Sequence, residues 1–259
     1  MIRRAATAAV ALCVAVLAAG FVQAEEPAKD VEPYVAAFPY TPSIEKAPNS
    51  QGISVAVSKV SFVASKVPEG DETWALQIKI LNKIDPMTRE MLWFAFPQFQ
   101  NLAAKLRKDV AEIFFAKGFR VRGPYESYEA VPAAEKKDID LYVVPKMKLI
   151  FTQQAKKWKG REEFVETEIS ADGTITLEAQ NMTNRESLWT RDVPLEKITF
   201  TSRMPAMGYQ VGDRFNSIMN EVAKGIERQY PALMGRVAAS VDPQEMKAMK
   251  KGSTGKTGY

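Results

Sequence analysis

The apolar positions of this chain recur at two periods, and the switches between them mark out its elements. From Pro97 onward, Phe99, Leu102, Ala103, Leu106, Val110, Ile113 and Phe114 recur at helical spacing. That spacing predicts an amphipathic helix with one buried stripe. Gly118 stops it, and Phe119-Arg120-Val121 starts a strand. Asp138 to Thr152 (DIDLYVVPKMKLIFT) predicts the next strand. Pro145 has no N–H to give to a ladder, so this strand is expected at a sheet edge or bulged at that point. Upstream, Gly52 to Val63 alternates through Ile53, Val55, Val57, Val60 and Phe62, as a half-buried strand does. Thr73 to Phe96 is ambiguous: Trp74 to Ile80 alternates like a strand, while Pro86 to Phe96 reads as a short helix or a loop.

Downstream, Phe164 to Gln180 and Glu186 to Pro194 flank a turn at Asn181 to Arg185, which predicts an antiparallel hairpin. Glu196 to Arg203 reads as a further short strand. Asp213 is the expected N-cap of a second amphipathic helix through Phe215, Ile218, Met219, Val222, Ala223, Ile226 and Tyr230. Pro231 is expected to kink or restart it, and Leu233, Val237 and Val241 continue its apolar face. The expected fold is α+β: one domain over residues 51–241, a mostly antiparallel β-sheet packed against two amphipathic helices.

The ends read differently. Arg3 and Arg4, the apolar run Ala5 to Phe21 and the small residues around Ala24 form a secretory leader, expected to be cut after Ala24. Residues 25–50 carry Pro27, Pro33, Pro39, Pro42 and Pro48, a density that opposes helix and central strand. This predicts an extended arm, either packed on the domain through Tyr34, Phe38 and Tyr40 or free as a linker. Residues 242–259, rich in Lys and Met before GSTGKTGY, predict a disordered basic tail.

Composition narrows the chemistry. The chain holds no histidine, which removes Ser-His-Asp and Cys-His catalysis and the H-E-x-x-H zinc motif. Its one cysteine, Cys13, sits inside the leader behind Leu12, a poor setting for lipid attachment. The chain that remains after cleavage can form no disulfide. The formal charge is +4, and loss of Arg3 and Arg4 brings it to about +2, too weak for a nucleic-acid partner. An enzyme would have to rely on carboxylate, lysine or tyrosine groups, and no pair such as Asp138/Asp140 or Glu162/Glu163 is set at a defined separation. Gly255-Lys256-Thr257 lacks the upstream glycine, strand and following helix of a phosphate loop. No catalytic residue, cofactor or metal is expected.

Two loops carry candidate chemistry. In Gly123 to Lys137, Tyr125 and Tyr128 interleave with Glu126 and Glu129, as on a sugar-binding loop or on a plain surface loop. In Gln153 to Glu163, Lys156, Lys157, Lys159 and Arg161 surround Trp158. An indole face can stack on a sugar or enter a membrane interface, and the cations favour an acidic partner. A solvated hairpin loop is the plainer reading.

The order of ISVAVSKVSFV, a helix ending FFAKGFRV, the strand DIDLYVVPKMKLIF, a basic loop, the hairpin GTITLEAQNMTNRESLWTRDV and the helix FNSIMNEVAKGIERQYPALM resembles the neuraminyllactose-binding haemagglutinin family of flagellar sheath adhesins, over about Phe38 to Lys251. The resemblance implies helices against an antiparallel sheet, residence at the outer membrane or flagellar sheath, and binding of sialylated glycans. Two departures stand beside it. The family's lipid-attachment cysteine is missing, and its Lys-Arg-Thr-Ile-Gln-Lys motif is replaced by Lys156-Lys157-Trp158-Lys159-Gly160-Arg161. The glycan-binding candidates are therefore Lys156, Lys157, Trp158, Lys159 and Arg161. The expected function is that of a non-enzymatic, exported envelope protein of a Gram-negative bacterium, structural or adhesive. The alternative is a periplasmic assembly or flagellar accessory module that holds a protein partner by a helix face or sheet edge.

Overall fold

The computed structural model of the chain describes residues 33–64, 97–155, 164–205 and 211–254; the ambiguous stretch Thr73 to Phe96 lies outside the described residues. Helix α1 (Pro97–Ala116) buries the expected stripe from Phe99 to Phe114. Gly118 ends it in the left-handed region at φ 86°. The Gly118 N–H donates to the Phe115 carbonyl at 2.9 Å and the Phe119 N–H to the Phe114 carbonyl at 3.1 Å. This is the double bond of a Schellman stop, and the Phe114 and Phe119 rings pack edge to face across it at 5.3 Å.

The predicted first strand is two. Strand β1 (Ser54–Ser58) and strand β2 (Ser61–Ala64) are separated at Lys59 and Val60. They are followed by β3 (Arg120–Tyr125), the short helix α2 (Ala133–Lys136), and the long strands β4 (Leu141–Ala155), β5 (Phe164–Asn181) and β6 (Ser187–Pro205). The sheet order is β3-β1-β4-β5-β6, with β2 also on β4. The short strands β1, β2 and β3 pair in parallel, while β4-β5 and β5-β6 form long antiparallel ladders. The fold is α+β, with a mostly antiparallel sheet.

Three sequence expectations are corrected here. Strand β4 is central, not an edge. Pro145 is accommodated because β1 pairs up to Val143 and β2 begins at Lys146, so the residue without an N–H falls in the gap between them. The return strand and the strand predicted after it are one, β6, running through Pro194, which an edge strand tolerates. Helix α3 (Val211–Ser240) already includes Asp213 and runs on through Pro231 without a restart.

Alternation decides the two faces of the sheet. Ile175, Leu177 and Ala179 of β5 are buried with α1 and α3. The residues between them, Thr174, Thr176, Glu178 and Gln180, point the other way and are half-exposed. On that reverse face Lys146 pairs with Glu178. The Thr176 hydroxyl donates to Asp192 at 2.5 Å.

The predicted disordered tail is replaced, over Pro243–Thr254, by helix α4. Met246 is fully buried. Glu245 accepts from the Trp189 indole at 3.1 Å and pairs with Arg191 at 2.5 Å. A small apolar anchor with one ion pair holds a stretch whose composition looks polar.

Gly173 marks the tightest point of the sheet. A Cβ there would lie 2.0 Å from the Lys148 carbonyl oxygen, beside the irregular register between Ala171 and Gly173. Gly173→Ala is expected to cost about 1–3 kcal/mol through overpacking against backbone. Gly118→Ala is expected to cost at least about 1–2 kcal/mol for its left-handed φ. Urea unfolding midpoints measure both, and wild-type midpoints would contradict this account of the two glycines.

Candidate functional site

The predicted basic cluster, Lys156, Lys157, Trp158, Lys159 and Arg161, lies outside the described residues. Its supporting strands are described. The β4-β5 ladder is paired as far as Ala155 with Thr167, so its two strands lead directly into the cluster. The cluster belongs to the connection between the ends of this ribbon.

The Tyr-Glu loop is a folded cover, neither an open sugar platform nor a plain surface loop. It lies on the reverse face of the sheet over a second small core of Ala56, Val131, Ile139, Tyr142 and Met182. Tyr128 packs edge to face on Tyr142 at 5.6 Å, with Lys136 at 4.0 Å and Arg185 at 4.8 Å from its ring centre. Its hydroxyl donates to the Met182 carbonyl at 2.7 Å. Tyr125 donates to Glu135, and burial together with that acceptor raises its phenol to about 12. Arg107 donates to the Tyr125 carbonyl at 2.5 Å and pairs with Glu126 at 2.8 Å. These aromatic and acidic groups are engaged within the chain.

The arm packs in the seam between α1 and α3. Its exposure alternates: Ala36 and Phe38 are buried, Val35, Ala37 and Pro39 exposed. Helix side chains capture its backbone. The Tyr34 N–H donates to Asn220 at 2.8 Å and the Ala37 N–H to Glu227 at 2.6 Å. Asn101 donates to the Ala36 carbonyl at 2.5 Å, and the Tyr34 hydroxyl donates to Glu227. Farther on, Glu45 and Lys46 both donate to the Ala116 carbonyl, and Gln51 reaches the carbonyls of Lys117 and Gly118. The end of the arm therefore satisfies carbonyls that a helix C-terminus leaves open.

Beneath Phe38 is a buried polar cluster that the sequence reading missed. Asp109 is fully buried. It takes Lys105 at 2.5 Å and the Tyr230 hydroxyl at 2.8 Å, and the Phe38 ring lies 5.1 Å from that of Tyr230. The signal was present: Leu102, Leu106, Asp109 and Ile113 share one helix stripe, so a charge stands where a core residue belongs. Burial raises the Asp109 carboxyl above its ordinary range, although its bonds to Lys105 and Tyr230 pull it down. Burial and the neighbouring Asp109 push the Tyr230 phenol far up. Glu227 shifts the other way, held below the usual carboxylate range by the Tyr34 hydroxyl and the arm N–H of Ala37. The cluster is sealed by the arm, and its chemistry is that of holding two helices together.

The sequence matches no protein-family model and no curated protein. Among solved structures, it is similar to a neuraminyllactose-binding hemagglutinin homolog from Helicobacter pylori at 12% identity, covering 83% of this chain and 98% of that one, with a TM-score of 0.47. The PelC dodecamer from Paraburkholderia phytofirmans matches at 12% identity over 70% of this chain and 91% of that one, with a TM-score of 0.25. A minor lipoprotein from Acinetobacter baumannii matches at 9% identity over 70% of this chain and 94% of that one, with a TM-score of 0.20. Likenesses this distant transfer neither a site residue nor a role.

Buried Asp109 and half-exposed Glu227 make opposite pH predictions. Glu227 has a depressed folded pKa, so its contribution is present above the unfolded value and lost as pH falls through the folded one. Asp109 has a raised folded pKa, so its ionisation works against the fold as pH rises. Urea unfolding across the carboxylate range should show the gap between wild type and Glu227→Gln closing as pH falls. Asp109→Asn should remove a component that weakens with rising pH. A pH-independent gap for Glu227→Gln would contradict a charged hold on the arm.

Proposed function

We propose that this chain is an exported protein of the Gram-negative cell envelope, in the periplasm, at the outer membrane or in the flagellar sheath, and that it works by binding. Its role is structural or adhesive, and the ligand of the basic connection is a sialylated glycan. The observation that carries this reading is the β4-β5 ladder, paired as far as Ala155 with Thr167, whose strands lead into a connection holding Lys156, Lys157, Trp158, Lys159 and Arg161. A sialic acid offers a carboxylate to the cations and a ring to the indole. Each charge-assisted bond is worth about 1.5–3 kcal/mol. The leader supports export. The lack of histidine and of any cysteine beyond the leader removes the usual bases and nucleophiles of hydrolytic enzymes.

A second reading, an assembly module that binds a protein partner, draws on β6. Among the described residues it ends the strand order of the sheet; α3 side chains occupy its backbone at Glu196 and Pro194, so an added strand would pair elsewhere along it. An edge strand is a template for an added strand. The apolar face of α1, by contrast, is spent in the core and offers no interface.

Calorimetric titration of the purified protein with sialyllactose tests the first reading. Binding is expected, and joint replacement of Lys156, Lys157, Lys159 and Arg161 by alanine should weaken it by more than about tenfold. Absence of binding, or binding unchanged by the replacement, would remove the glycan claim. A stoichiometric protein captured from envelope extracts would favour the assembly reading, and a cytoplasmic location in cell fractions would overturn both.

A further inference from the structure

The way the arm is held is the way a groove holds an extended peptide. Alternate side chains enter the seam: Tyr34 and Tyr40 are half-buried, Ala36 and Phe38 fully buried. The backbone between them is gripped by side chains of the groove and not by another strand: Asn220 and Glu227 accept from Tyr34 and Ala37, and Asn101 and Lys105 donate to the carbonyls of Ala36 and Tyr40. Phe38 is bent to φ 46° to reach its place against Tyr230. A bulky side chain rarely adopts that conformation, so the groove imposes it.

The arm also divides naturally. Residues 45–51 are tied to the end of α1 by backbone bonds. Residues 33–40 are tied, among the described residues, to the seam. Between them, Thr41, Ser43 and Ile44 are exposed and Pro42 is half-exposed, and Ile44 keeps 74% of its surface in water. This exposed stretch separates the part held in the seam from the part that caps α1.

We propose that the α1-α3 seam is a recognition groove for an extended segment of the form Tyr-x-Ala-x-Phe-x-Tyr, filled here by the chain's own residues 33–40, and that the same segment of a second copy fills it in trans. The trans occupant is chosen by chemistry: the arm is the one segment whose spacing, aromatic anchor and backbone pattern are seen to fit. Exchange of an identical element between copies needs no new contact.

Hydrogen exchange on the full chain is the first test. The amides of Tyr34 and Ala37 are expected to exchange at least about tenfold faster than those of Leu106 and Val110, through local opening. Exchange together with the α1 core would overturn the proposal. The second test uses a fluorescent peptide of residues 33–42 with three full chains: wild type, Phe38→Ala, and Ala37→Pro, which removes the N–H given to Glu227 without touching the core. The peptide should bind a folded weakened-arm chain at least about tenfold more tightly than wild type, whose own arm competes, and a peptide carrying Phe38→Ala should lose about tenfold. A folded Ala37→Pro chain that takes no peptide would overturn the groove. Two differently tagged full chains should co-purify after incubation together. Peptide binding without co-purification would overturn the exchange between copies and leave the groove to a foreign segment.

Discussion

The helix side of this protein depends on one buried carboxylate. Asp109 sits on α1 where a leucine would complete the apolar stripe, and it is reached from α1 by Lys105 and from α3 by Tyr230. A buried charge is tolerated only when paired and hydrogen-bonded. Here that requirement sets the register of the two helices and puts the Tyr230 ring where Phe38 can close over it. The arm then becomes part of the core, because without it the cluster would be open to water at a place built for burial. The Schellman stop at Gly118 supports the same arrangement from the far end, where Ser50 Oγ would meet a Cβ at 2.3 Å.

The reverse face follows different rules. Its central strands alternate threonine, lysine and glutamate outward, and the loop that carries Tyr125 and Tyr128 covers the β1-β4 end. The aromatic and acidic groups that make that loop look like a ligand site are bonded to one another and to the sheet. The surfaces proposed for a partner are the connection between β4 and β5 and the part of the β6 edge that α3 side chains do not occupy.

The helices and long strands were legible because burial writes its period directly into the sequence: Phe99 to Phe114 at 3.6, Ile175 to Ala179 at 2. The misses have physical reasons. Pro145 looked like an edge residue because the gap between β1 and β2 opposite it is a nonlocal fact. For the arm, packing through Tyr34, Phe38 and Tyr40 and a free linker stood open together; the structure decides for packing, on partners more than 60 residues away in sequence. Helix α4 was hidden because two methionines, Met246 and Met249, anchor an otherwise lysine-rich stretch. The basic connection was readable as composition alone, and composition names a partner's charge without naming the partner.

The central claim is that the arm belongs to the folded domain because Phe38 closes the seam over Tyr230 and Asp109. Urea unfolding of Phe38→Ala beside that of Val35→Ala tests it most directly, since the two residues share one segment and differ in burial, 0% against 79% exposed. The account predicts a loss on the order of 3 kcal/mol for Phe38→Ala and a change within about 0.5 kcal/mol for Val35→Ala. Equal, small effects at both positions would contradict it.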